Sequence, residues 1–225
     1  MNFTKPLTMP RGSHYGSNYW EVYSSKMKRK ACFFSDLEYA NFLSLEMNPK
    51  IISMCEQPLE ISVTIDGKLC KSIFDFWVKY ENGTNEFQEI KYSSSLVDES
   101  DESKRTRLQI QKQKLWCEEN NVSYVVRTEK DIYLGEYTYT NLSTMAARVR
   151  RIYNNSSEFD SYTVQLVNYI ETGERFTIQD LINSGRLPLG VELSFLCYMH
   201  YLGKIKIDID DRPLDSKSEV TLYGQ

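Results

Sequence analysis

The period of hydrophobic and polar positions changes several times along the chain, and each change marks an element. Leu37, Ala40, Leu43 and Met47 recur at near-helical spacing. Ser35 followed by Glu38, ahead of that apolar run, is a capping box, and Asn48-Pro49 closes the helix it opens. Upstream, residues 1–24 are rich in Pro, Gly, Ser and Asn without a period and read as an arm with at most one strand near Trp20–Tyr23. Lys26-Met27-Lys28-Arg29-Lys30, the densest basic run, reads as a turn that is either solvated or in contact with phosphate. Downstream, alternation over Leu59–Ile65 predicts a half-buried strand, and Asp66-Gly67 a hairpin turn. Leu69–Tyr80, dense in β-formers from Ile73 to Val78, reads as the next strand. Glu81-Asn82-Gly83 turns the chain into a third, Glu86–Tyr92, and the three are expected to form a meander.

Ser93–Ser103 is an acidic, serine-rich loop. Lys104–Asn120 predicts a helix with Leu108, Leu115 and Trp116 inward and Lys/Arg outward, followed by a strand at Val122–Arg127. That spacing suits a crossover to a parallel neighbour, giving the order α-β-β-β-α-β. Beyond Asp131 the pattern is helical: Leu142–Tyr153, Tyr162–Ile170, Phe176–Ser184 and Gly190–Leu202. Lys204–Asp210 and Glu219–Tyr223 then alternate like two strands joined through Asp211–Asp215. Helices followed by a two-stranded wing form the winged-helix pattern. The boundary falls near residue 134, dividing the chain into 1–134 and 135–225.

Composition narrows the chemistry. The 225 residues suit one ordinary domain plus a small one, and 41% apolar with 26% charged residues supports a packed core rather than disorder. The two histidines, His14 and His200, exclude a three-histidine metal site and would have to serve any Ser-His-Asp triad. Five cysteines without a C-x-x-C argue against a zinc ribbon or a disulfide framework and fit a reducing, cytoplasmic setting. No apolar run reaches the ~18 residues of a membrane span, and the polar first twenty residues do not indicate secretion. Pro10-Arg11-Gly12-Ser13-His14 resembles an expression-vector scar but lies inside the chain and is read as native. A net charge of −4 excludes a generally basic nucleic-acid coat protein while permitting local basic patches.

One constellation carries chemistry: Asp75, then Glu89-Ile90-Lys91 on the adjacent predicted strand. Two carboxylates and the backbone carbonyl of Ile90 are the oxygen ligands that Mg²⁺ prefers. Positions 89 and 91 share a strand face, which puts the Lys91 ammonium beside the same cation, where it would steady a hydroxide or a charged phosphate. Glu38, on the first helix, would hold a second metal directly or through water. Each residue also has a plain structural reading: Asp75 as the ion-pair partner of Lys91, Glu89 and Lys91 as surface charges, Glu38 as the cap of its own helix. The ordered set is what counts. An acid on the first helix, an acid on a strand, E-x-K on the next, then a basic helix and a strand, is the pattern of the PD-(D/E)xK nuclease core, a mixed α/β sheet flanked by helices.

Ser24-Ser25-Lys26, Arg29 and Phe34-Ser35-Asp36-Leu37-Glu38-Tyr39-Ala40-Asn41-Phe42-Leu43-Ser44-Leu45-Glu46 resemble the TnsA endonuclease subunit of heteromeric, Tn-seven-type transposases. Ile52 through Gln57-Pro58-Leu59, the strand around Asp75, and Val125-Val126-Arg127-Thr128-Glu129-Lys130-Asp131-Ile132 continue the resemblance, which covers about residues 24–134 well and the remainder only in general plan. It implies a restriction-endonuclease-like catalytic domain and a C-terminal winged-helix domain. It implies Mg²⁺-dependent cutting at the 5′ ends of a transposon in a bacterial cytoplasm, with Mn²⁺ able to substitute. It also implies a TnsB-type transposase acting on the 3′ ends and a TnsC-type ATPase as partners. The family's catalytic acids fall on Glu38 and Asp75 and its lysine on Lys91; at Glu89 the chain departs from the family's glutamine and is closer to ordinary restriction enzymes, which supports metal binding.

Neither half of the chain is basic: residues 1–134 hold 18 Lys/Arg against 19 Asp/Glu, and residues 135–225 hold 9 against 12. DNA contact is therefore expected from local patches, one at Lys26, Lys28, Arg29 and Lys30, the other at Lys104, Arg105, Arg107, Lys112 and Lys114. Gly190–Gly203 lacks the Arg, Lys, Asn and Gln of a base-reading helix and carries Phe195, Tyr198, Met199 and Tyr201. These aromatics are expected to dock a protein partner, or else to fill a small core. Two alternatives stay open at this point: a PD-(D/E)xK nuclease of phage or restriction type, and a non-catalytic adaptor of a DNA complex.

Overall fold

The computed structural model describes residues 2–10, 18–65, 67–152, 160–170, 176–187 and 190–223. Arg11–His14, Asp66 of the expected turn and Tyr153 at the expected helix end lie outside the described residues. The chain divides into two compact units, Met1–Phe42 with Ile51–Ile132, and Leu43–Lys50 with Tyr133–Gln225.

In the first unit, β1 (Trp20–Ser24) and β2 (Arg29–Phe33) form an antiparallel hairpin. The basic run is thus a turn running into a second strand, which its charge had masked. Lys28, at φ 55°, takes the left-handed conformation there. Helix α1 (Asp36–Met47) follows, belonging to this unit as far as Phe42, then β3 (Ile51–Glu56), β4 (Glu60–Ile65), β5 (Lys68–Ile73), β6 (Phe76–Tyr80), β7 (Asn85–Ile90), α2 (Ser94–Val97), α3 (Asp101–Glu119), β8 (Ser123–Arg127) and α4 (Glu129–Ile132). The main sheet is mixed, in the order β3-β6-β7-β8: β6 runs antiparallel to β3 and β7, and β8 runs parallel to β7 with Glu89 opposite Val126. The crossover through α3 is the one the spacing predicts.

The expected meander is not formed. The run Leu69–Tyr80 is two strands serving two ladders, β5 pairing back on β4 as a separate hairpin and β6 joining the main sheet. The break falls at Phe74-Asp75. Phe74 is fully buried and stacks on Phe87 at 4.2 Å, in a core cluster with Cys55, Ile61, Trp77 and Cys117. Burial of each such large apolar side chain contributes about 1.5–3 kcal/mol. Strand β3 escaped the sequence pattern because Met54, Cys55 and Glu56 are all buried and so do not alternate.

The inward face of α3 also differs from expectation. Leu108 and Leu115 are 40% and 38% exposed, whereas Trp116 does turn inward, packing against Phe74 and Phe87 at 5.7 and 5.8 Å. The buried positions are Ser103, Thr106, Gln113 and Cys117. Up to Gln113 the inner face is polar and covers polar groups, while Trp116 and Cys117 join the aromatic core.

In the second unit, α5 (Thr138–Ile152), α6 (Asp160–Ile170), β9 (Phe176–Thr177), α7 (Ile178–Asn183), α8 (Glu192–Tyr201), β10 (Ile205–Ile207) and β11 (Glu219–Leu222) follow in order. The strands form an antiparallel sheet, β10-β11-β9, the third strand being a short one that helical periodicity had absorbed. Thr177 and Asp180 cap α7 reciprocally. Asn141 ties down the connection between β10 and β11, donating to the Ile209 and Arg212 carbonyls at 2.9 and 2.7 Å and accepting from Leu214 N at 2.8 Å.

Phe195, Tyr198 and Met199 do not stand on a docking surface. They are 0%, 8% and 0% exposed, and Tyr201 is half-buried beside Tyr198. A unit this small needs the apolar residues of α8 for its own core. His200 belongs to that core: its Nδ1 accepts from Ile207 N at 3.1 Å, and burial pushes it down to about 4, so the ring is neutral.

Candidate active site

Four elements of the first unit converge on one recess. Glu38 sits in the first turn of α1, where its backbone N–H donates to Ser35 Oγ at 3.1 Å. Its carboxylate accepts from Ser35 Oγ and from Phe34 N, each at 3.1 Å. The cap fixes this carboxylate at the mouth of the helix.

Asp75 occupies the break between β5 and β6. Its Oδ2 accepts from Ile90 N at 2.7 Å, which joins the break to the end of β7. Gln57 N donates to the Asp75 carbonyl at 2.9 Å from a strained backbone with φ 35°.

Glu89 is fully buried. It accepts from Lys91 Nζ at 2.5 Å and from Gln109 and Gln113 Nε2 at 2.7 Å each. A cleft of about 730 Å³ opens in front, lined by Glu38, Asp75, Ile90 and Lys91, with Gln57, Ser72, Tyr92, Gln109 and Lys112 around them. Glu38, Asp75 and Lys91 therefore share one cavity, and Glu89 lies behind Lys91.

Gln109 and Gln113 escaped the sequence reading. Their spacing of four residues puts them on one face of α3 with Thr106, and this polar stripe is the signal that an assumed leucine face had hidden.

The basic positions separate by role. Lys112 lines the cleft. Arg105 is exposed, and Lys104 lies 3.8 Å from Asp101. Arg107 donates to the Leu96 and Asp98 carbonyls at 3.3 and 2.7 Å, holding the loop before α3. Arg29 grips the buried Glu56 at 2.5 and 2.7 Å, and Lys30 pairs with Glu21 at 2.7 Å. Arg29 therefore serves the fold.

Three carboxylates around one ammonium leave surplus negative charge in a sheltered place. Burial above all, then the Asp75 charge, pushes Glu38 up to about 7. The same two causes, in the same order, displace Glu89 upward against the pull of Lys91 and Gln113. Burial would lower Lys91, but Asp75, Glu89 and Glu38 outweigh it and raise it above the ordinary lysine value. The geometry around Glu89 serves a carboxylate, since all three of its hydrogen-bonding partners here are N–H donors.

Among the described residues, no three acidic, imidazole or thiol side chains come together closely enough to enclose an ion as they stand. The donor set nevertheless suits a hard divalent cation, because it consists of oxygens and its negative charge exceeds what Lys91 neutralises.

The raised Glu38 makes a prediction about stability. Between about pH 4.5 and 7 the folded state keeps a proton that the unfolded chain has released. Stability from this group is therefore complete below about pH 4.5 and lost as pH rises through about 7. In urea unfolding across pH 5–8 with chelator, wild-type protein is expected to lose stability with rising pH. Glu38→Gln, which keeps an oxygen for the Phe34 N–H, is expected to reduce that slope, the remainder coming from Glu89, which is displaced in the same direction; equal slopes contradict the displacement.

Residues 48–129 match the family model described as TnsA-like endonuclease N terminal. The matched stretch contains Asp75, Glu89, Lys91, Gln109 and Gln113 and leaves out Glu38. No curated protein sequence matches the chain.

Proposed function

We propose, from the match of residues 48–129 to the TnsA-like endonuclease N-terminal family model, that this chain is the metal-dependent endonuclease subunit of a heteromeric, Tn-seven-type transposase. In this reading it hydrolyses DNA at the 5′ ends of the transposon, leaving 5′-phosphate and 3′-hydroxyl. It works beside a TnsB-type transposase, under a TnsC-type ATPase, in a bacterial cytoplasm. The observation that carries the reading is the convergence of Glu38, Asp75 and Lys91 on one cleft, with Glu89 bonded to Lys91 behind it.

Mg²⁺, or Mn²⁺ in its place, would be held by Asp75, Glu89 and the Ile90 carbonyl, with Glu38 joining directly or through water; when bound it supplies a water of lowered pKa and a Lewis acid for the phosphate. The protein's own part is placement and charge. Asp75 is locked by the Ile90 N–H. Lys91, held protonated by its acidic neighbours, faces the cleft where charge accumulates on the phosphate oxygens. Lys112 stands at the same cleft, placed to meet the DNA backbone.

The arrangement of the first unit is read as a restriction-endonuclease-like core of the PD-(D/E)xK type. The second unit, with helices ahead of a three-stranded antiparallel sheet, is read as a winged-helix module. Its β10–β11 connection carries Asp208, Asp210 and Asp211, which suits a protein partner better than a phosphate backbone.

The test is cleavage of end-containing DNA in Mg²⁺, with and without the transposase and the ATPase. Cutting at the 5′ ends, lost on chelation, is expected. Absence of cutting in every combination overturns the proposal.

A further inference from the structure

We infer that Gln113, oriented by Tyr124 and assisted by Gln109, is a positioning residue that holds the Glu89 carboxylate, and through it the Lys91 ammonium, in register with the cleft. The inference rests on the endonuclease reading and deepens it.

The bonds around Gln113 leave its amide one orientation. The side chain is fully buried. Its amide nitrogen lies 2.7 Å from Glu89 Oε2, 3.1 Å from the Ile73 carbonyl and 3.2 Å from Ser72 Oγ. A carbonyl oxygen can only accept, so the NH₂ group must face Ile73 and Glu89. The amide oxygen then points the other way and must accept, and the Tyr124 hydroxyl donates to it at 2.7 Å. Burial first, then the Glu89 and Asp75 charges, raises the Tyr124 phenol well above its ordinary value, so it remains a donor.

The chain of bonds runs from Tyr124 on β8, through Gln113 on α3, to Glu89 on β7 and on to Lys91. The Gln113 amide also touches the end of β5 just before the break that places Asp75. Gln109, one turn earlier on α3, donates to the same Glu89 oxygen that Lys91 holds.

The residue type matters as much as the geometry. A carboxylate at position 113 would face Glu89 with like charge. A lysine there would compete with Lys91 and cancel the negative charge that the site concentrates. An apolar side chain would strip a donor from a fully buried carboxylate and leave the Tyr124 hydroxyl without its acceptor. An amide, neutral with one donor end and one acceptor end, satisfies both neighbours and leaves Lys91 as the cation bonded to Glu89.

Two variants of the full-length protein test this, Gln113→Met and Tyr124→Phe. Three readouts are taken: Mn²⁺ affinity without DNA by titration calorimetry, kcat and KM on end-containing DNA with the partners, and the unfolding midpoint. Gln113→Met is expected to lose about 10–100-fold in Mn²⁺ affinity or in kcat, the range for partners that orient a ligand, with KM for DNA unchanged. Tyr124→Phe, which keeps the ring and removes only the donor, is expected to shift in the same direction by a smaller factor, and it decides the matter if Gln113→Met fails to fold.

Wild-type Mn²⁺ affinity and kcat in Tyr124→Phe and in folded Gln113→Met overturn the inference. So does a lowered unfolding midpoint with both quantities unchanged per folded molecule, because that is a purely structural role. Those outcomes leave the endonuclease reading standing, whereas a wild-type protein that neither binds Mn²⁺ nor cuts DNA brings down both.

Discussion

On the endonuclease reading proposed above, cleavage of end-containing DNA by the Asp75→Asn protein is expected to fall at least about a thousandfold, equivalent to the several kcal/mol of charge stabilisation that a metal-binding carboxylate would support. Asparagine is almost the same size and retains an oxygen for the Ile90 N–H that Asp75 Oδ2 accepts at 2.7 Å. The link between the β5–β6 break and the end of β7 therefore survives, and only the charge is removed. Folding, binding of the transposase and ATPase partners, and DNA retention are expected to stay at wild-type levels. Asp75→Ala is expected to lose cleavage as well, with partner binding retained. The measurement is a cleavage time course beside a pull-down of the partners. Wild-type cleavage in either variant would leave the first unit as a scaffold and favour an adaptor role.

The second large effect is on stability. Arg29→Met is expected to destabilise the protein by about 3 kcal/mol, the low end of the range for removing one partner of a buried pair, because Arg29 is itself partly exposed. Its guanidinium meets Glu56 at 2.5 and 2.7 Å, and the Glu56 side chain is only 1% exposed. Removing the arginine leaves that carboxylate without the charge that offsets its burial. Arg29 also donates to the Thr4 carbonyl at 3.2 Å, so the arm of residues 2–10 is expected to loosen too. Urea unfolding should show the loss, whereas Lys28→Ala, on an exposed turn residue, should leave the midpoint in place. Equal midpoints for Arg29→Met and wild type would return Arg29 to the set of free surface cations.

These two predictions show how unevenly the chain discloses itself. The helix capped by Ser35 and Glu38, the parallel crossover to β8 and the gathering of Glu38, Asp75 and Lys91 at one cleft were legible, because capping, crossover length and ordered charges are local or ordered signals. The role of Arg29 was not legible. A basic run looks the same on paper whether it meets phosphate or a buried glutamate, and Glu56 lies in a strand that has no alternation to reveal it. Likewise the aromatic residues of α8 have one composition and two opposite uses. Burial assigns Phe195, Tyr198 and Met199 to the core.

Sequence alone supplied the chemical inventory and its order: an acid on a helix, an acid on a strand, E-x-K on the next, and one matched family over residues 48–129. Such signals survive in one dimension because they depend on residue type and spacing. Which groups touch was settled by the fold. It split Leu69–Tyr80 at Asp75, and it turned the polar rather than the leucine side of α3 toward Glu89. The reason is physical: a buried carboxylate must find donors wherever the fold can bring them, and these came from residues 20 and 24 positions along the chain.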